Sequence, residues 1–188
     1  MVYMDGSKMK KFVIIVISFL VFFLGNVNSA LAGVPWENPK SIRTYIAPNV
    51  YKPLMKQAFS EWTKATNGKF LFKYVENPKD AQINVVFIKD ASANSKLSRA
   101  IGVTYPQINS NGYMSFAKIE IASHAPGSGG RLMPKSRIYG VMVHEIGHAI
   151  GLDHSQDRMS IMYFEKNSRN QNITPADLKV LYKLYGWK

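Results

Sequence analysis

Cysteine is absent from all 188 residues. No disulfide, thiol nucleophile, cysteine-ligated metal site or lipidated cysteine is therefore available. An exported chain of this kind must rest on its core and on any metal it holds, which suits bacterial export better than a disulfide-dense extracellular module. Acidic residues are scarce as well, 12 against 24 Lys and Arg. That excess attracts anionic surfaces and substrates at long range and says nothing about fold. The lysines are scattered and no nucleic-acid-binding fingerprint accompanies them, so no specific nucleic-acid partner is expected. A membrane-spanning run, which takes roughly 20 apolar residues, is also missing.

The longest apolar run is Phe12 to Leu24, 13 residues without a charge, behind the basic Lys8, Lys10 and Lys11. It has the length of a signal-peptide core, about 7 to 15 residues. Ala30-Leu31-Ala32 follows as a small-x-small cleavage site. Residues 1–32 are accordingly expected to be a signal peptide cleaved after Ala32 or Ala30, leading to secretion into an extracellular or periplasmic space. An uncleaved anchor is the alternative, and the short run argues against it. Removing 32 of the 188 residues leaves 156, residues 33–188, enough for one domain with a real core and no second. Three of the 24 basic and one of the 12 acidic residues lie ahead of Gly33, so the mature part carries a net charge of +10. A monomer without a permanent membrane anchor is expected.

Along that domain, Ser41 to Ile46 reads as a strand ended by Pro48-Asn49. Leu54, Ala58, Trp62 and Ala65, widened by Met55 and Phe59, form the apolar stripe of a helix with Gly68 past its end. Phe70 to Val75 and Ile83 to Ile88 are short β-rich runs separated by Asn77-Pro78-Lys79-Asp80. Ala100 to Tyr105 is another, closed by Pro106, and Ser115, Ala117, Ile119 and Ile121 line one face of a further strand. The glycine-rich segment 126–130 leads into a helix from about Ser136 to Ile150. A third helix starts at Thr174-Pro175-Ala176-Asp177 and ends at Gly186. The order predicts one α+β domain, a twisted mixed sheet of about five strands with three helices.

Only four histidines occur, and three of them fall within His144-Glu145-Ile146-Gly147-His148-Ala149-Ile150-Gly151-Leu152-Asp153-His154. On a helix, His144 and His148 are one turn apart and reach one ion. Gly151 can take a positive φ, end the helix and bring His154 back to the same point. Three protein ligands leave one tetrahedral position open, the mark of a catalytic rather than a structural zinc. Glu145 projects from another side and can serve as general base and acid towards a water held there, whose pKa zinc lowers to about 7. The expected chemistry is hydrolysis of internal peptide bonds with a single zinc ion.

His-Glu-x-x-His-x-x-Gly-x-x-His followed by Met162 in Ser160-Ile161-Met162-Tyr163 resembles the metzincin zinc peptidases. Ser155 after the third histidine and Tyr163 after the methionine are similar to the matrixin branch, the relatives of matrix metalloproteinases, here of a bacterial type. The resemblance implies a zincin-like catalytic domain, with Met162 as the apolar floor beneath the imidazoles. It also implies that Ile101, Gly102, Val103 and Thr104 belong to an edge strand pairing with extended protein or peptide substrates, and that Tyr163 and the loop to residue 172 wall a side-chain pocket. Branches with an extra tyrosine ligand carry it two residues after the methionine, where this chain has Phe164. Animal matrixins hold a second, structural zinc with further histidines and an aspartate, whereas only His124 remains here, so one zinc is expected and His124 is read as a surface or core residue. Calcium sites of the family need clustered oxygen ligands, and no acidic loop announces one. Latency through a pro-segment cysteine is excluded. A reading from another class is a binding module on the same scaffold, its basic surface holding anionic polymers and its peptidase activity incidental.

Overall fold

A computed structural model of the chain describes residues 33–89, 101–125, 128, 130–164 and 172–188. The signal-peptide expectation, most of the glycine-rich connection at 126–130 and most of the pocket loop after Tyr163 lie outside them. Five strands, β1 (Ile42–Ile46), β2 (Phe72–Tyr74), β3 (Ile83–Ile88), β4 (Gly102–Ile108) and β5 (Met114–Ala122), form one sheet in the order β2-β1-β3-β5-β4. Every neighbouring pair is parallel except β4 with β5. Three helices, α1 (Lys52–Ala65), α2 (Lys135–Ala149) and α3 (Pro175–Tyr185), complete the α+β domain. None of the described helices is long and apolar enough to cross a membrane.

Parallel pairing of β1 with β2 demands a crossover, and α1 supplies it. Its stripe buries Met55, Ala58, Phe59 and Trp62 against the sheet, where Ile42, Ile46, Ile83, Val85, Ile119 and Ile121 alternate inward along their strands. Trp62 joins α1 to α2, its indole N–H donating to the Val143 carbonyl at 2.9 Å inside the core. Truncating so large a buried side chain typically costs about 3–5 kcal/mol. Asn67 (φ 50°) and Gly68 (φ 73°) turn the chain away after α1.

One strand runs longer than its sequence suggests. β4 passes through Pro106 and reaches Ile108, with a register irregularity between Gln107 and Ile108. Proline is tolerated because no described strand lies beyond β4. Pro106 stands opposite Ala117, whose N–H is turned to Gln82 on the β3 side. The missing N–H of Pro106 therefore points out of the sheet. The same alternation turns the backbone groups of Gly102 and Thr104 outward, while Ile101 accepts from the Ala122 N–H at 2.7 Å.

Candidate metal centre

α2 carries His144, Glu145 and His148, and its end delivers the third histidine. Gly151 has φ +102°, and the turn is closed by Leu152 N–H donating to the Gly147 carbonyl at 2.9 Å. A Cβ on Gly151 would meet the Val34 carbonyl oxygen at 2.4 Å, and one on Gly33 would overlap the Gly151 carbonyl. Two backbones thus cross without side chains between them. Trp36 secures the crossing: its indole N–H donates to the Ala149 carbonyl at 2.8 Å and its backbone N–H to the Tyr185 hydroxyl at 2.9 Å. That hydroxyl donates in turn to the Ile150 carbonyl at 2.9 Å. Carbonyls left open by the end of α2 are thereby satisfied.

The ligand nitrogens of His144, His148 and His154 lie within 4.8 Å of one another. His144 donates from Nδ1 to the Ile161 carbonyl at 2.7 Å, and His148 from Nδ1 to the Leu152 carbonyl at 2.8 Å. Carbonyls only accept, so each ring keeps its proton on Nδ1 and turns a bare Nε2 inward. Those two Nε2 atoms are 3.1 Å apart. Facing lone pairs at this distance repel unless a cation lies between them, and two nitrogens bound to one tetrahedral zinc stand about 3.3 Å apart. Burial holds all three imidazoles below the usual histidine range, His148 down to about 3 with the neighbouring His144 and His154 adding to the effect. They are neutral at pH 7, the state that ligates a metal. The donor set fits zinc.

Glu145 is 5% exposed, and burial pushes its carboxyl up to about 7, an effect that the Thr104 hydrogen bond opposes. In metal-free protein the buried carboxyl thus holds its proton more tightly than one in water. Met162 is buried with its sulfur against Gly147, between the two helical histidines in sequence. Tyr163 is buried too and forms a bridge with Ser155, while Phe164 is exposed. Ile101, Gly102, Val103 and Thr104 lie at the start of the edge strand, but the side-chain positions of Gly102 and Thr104 meet Glu145 rather than solvent. His124 stays apart from the triad, its Nδ1 2.9 Å from Ser123 Oγ.

Asp177 escaped notice from sequence except as a cap. Its capping box with Thr174 is present, and the same buried carboxylate also accepts from Ser160 Oγ and from Ile161 N–H at 3.2 Å. Ser160 Oγ accepts in turn from Met162 N–H at 2.9 Å. One aspartate thus anchors the turn whose Ile161 carbonyl orients His144. An acid at the third position of a capped helix was the only local signal, and its second set of partners is 16 and 17 residues away.

A five-stranded mixed sheet packed by three helices, with three clustered histidines and a buried glutamate next in sequence to the first of them, defines a zincin-like domain. The chain belongs to the matrixin family, peptidase M10, whose family model matches residues 38–186. It is similar to Metalloendoproteinase 1 of Glycine max, 30% identical over 152 residues that cover 73% of this chain and 46% of that protein. Matrix metalloproteinase-A of Caenorhabditis elegans is 26% identical over 155 residues, covering 77% and 27%. Matrix metalloproteinase-16 of Homo sapiens is 26% identical over 193 residues, covering 88% and 30%. The chain spans less than half the length of each of these relatives.

Proposed function

We propose that this chain is an exported zinc endopeptidase that hydrolyses internal bonds of protein or peptide substrates bound as extended strands. The observation that carries the reading is the pair of bare Nε2 atoms of His144 and His148 facing each other, with the buried Glu145 next in sequence to His144. Family membership and the metalloproteinase names of the relatives agree with it.

His144, His148 and His154 would hold the ion. When bound, zinc supplies Lewis-acid polarisation of the scissile carbonyl and lowers the pKa of a coordinated water. Glu145 accepts the proton of the attacking water and passes it to the leaving amine. The outward backbone groups of Gly102 and Thr104 offer an open edge for an extended segment, so register along the strand is read through main-chain hydrogen bonds before side chains.

The test is a peptide-cleavage assay on protein of measured zinc content. Chelation stops cleavage, one equivalent of zinc restores it, and Glu145→Gln lowers kcat by about 10³-fold or more with zinc still bound. Turnover by Glu145→Gln at the wild-type rate would remove Glu145 from the chemistry.

A further inference from the structure

Two residues of β4 meet the Glu145 side chain from outside its own helix. Thr104 Oγ1 lies 2.7 Å from Glu145 Oε2 and 3.0 Å from the Glu145 carbonyl oxygen. The hydroxyl has one proton, and the charged carboxylate oxygen is both the nearer and the stronger acceptor. Two positions earlier on the same strand face, Gly102 leaves a space that Glu145 fills. A Cβ there would come within 2.7 Å of Glu145 Cγ, 2.8 Å of Oε1 and 2.6 Å of Val141 Cγ1. Contacts that short force a shift, which the Val141 and Glu145 side chains would share, so the carboxylate cannot keep its place unchanged.

We infer that Gly102 and Thr104 are positioning residues for the general base: Thr104 ties Oε2 in place by a hydrogen bond, and Gly102 vacates the volume that Cγ and Oε1 occupy. The inference rests on the proposed role of Glu145 as proton acceptor. A carboxylate torsion is broad when left alone. One hydroxyl on one oxygen converts that rotor into a directed acceptor. The same two residues turn their backbone groups to the open edge of the sheet, so the strand that would receive the substrate also seats the base. Substrate register and base position are then set by a single element. A displacement of about 1 Å in such a constellation is enough to cost a hundredfold in rate.

Thr104→Val exchanges hydroxyl for methyl at a strand position that valine suits. On zinc-loaded protein it lowers kcat by about ten- to a hundredfold, with KM and zinc per chain unchanged. Thr104→Ser, which keeps the hydroxyl, stays close to wild type. Gly102→Ala is the second variant and also lowers kcat with zinc retained. A readout independent of turnover is the urea midpoint of metal-free protein: Thr104→Val lowers it in the wild-type background and lowers it less in Glu145→Ala, where only the backbone carbonyl of residue 145 is left to accept. A wild-type kcat in Thr104→Val or in Gly102→Ala overturns the inference, and so does an equal loss of midpoint in both backgrounds. If zinc-loaded wild type cleaves no peptide, the peptidase reading fails, and the urea midpoints still decide the Thr104–Glu145 contact.

Discussion

Glu145 is the only acid on α2, and its burial has a thermodynamic cost that can be read without any substrate. In metal-free protein its carboxyl is raised from 4.5 to about 7. Between those values the folded state holds a proton that the unfolded state has released, so this group's contribution is fully present below 4.5 and is lost as pH rises through 7. His148 works in the opposite sense. Lowered to about 3, it stays neutral in the fold while the unfolded chain takes up a proton below about 6.5, so stability falls as pH drops through that window. Comparing wild type with Glu145→Gln cancels the His148 effect. The variant should gain up to about 3 kcal/mol over wild type as pH is raised from 4.5 to 8, measured by urea unfolding of metal-free protein. Parallel stability curves would show that Glu145 does not hold its proton in the fold.

Among the elements, α3 contributes most to the metal centre without touching it. Asp177 links its first turn to the turn holding Ser160, Ile161 and Met162, and that turn orients His144. Asp177→Asn keeps the size but puts a donor where only acceptors fit. We expect a loss of about 1–3 kcal/mol in urea unfolding and a zinc affinity weaker by about 10- to 100-fold, the latter from competition with a chromophoric chelator. An unchanged zinc affinity would confine Asp177 to capping. The helices were legible in the sequence because their evidence is local: the Met55 to Trp62 stripe, the Thr174–Asp177 box and Gly186, which adopts φ +64°. So were His144, His148 and the turn at Gly151, all within a few residues. β4 was read short because whether proline ends a strand depends on whether another strand lies beyond it. The Thr104 hydroxyl was read only as part of a substrate strand, since its partner is 41 residues away in sequence. Gly102 is likewise legible only as part of that strand, since the side chains that close on it, Val141 and Glu145, belong to α2.

At the scale of the molecule, the N-terminal segment and the last helix meet at the end of α2. Gly33 lies against Gly151, and Trp36 and Tyr185 share a hydrogen bond across 149 positions of sequence. A proposal about export follows. Cleavage after Ala32 or Ala30 makes Gly33 or Leu31 the first residue, and intact-mass analysis of protein recovered from the medium or periplasm should give one of those termini; a mass that includes the 12–24 apolar run would refute it. The hydrogen bonds through Tyr185 also have a temporal meaning. A ribosome makes all three ligands and Glu145 before it makes Asp177 and Tyr185, the residues that anchor His144's turn and close the end of α2. A chain grown only as far as His154 therefore contains the proposed ligands and base while lacking the supports that arrange them. Arrangement of the centre waits on α3, and the three histidines are not held in their mutual geometry until that helix has been made and has docked.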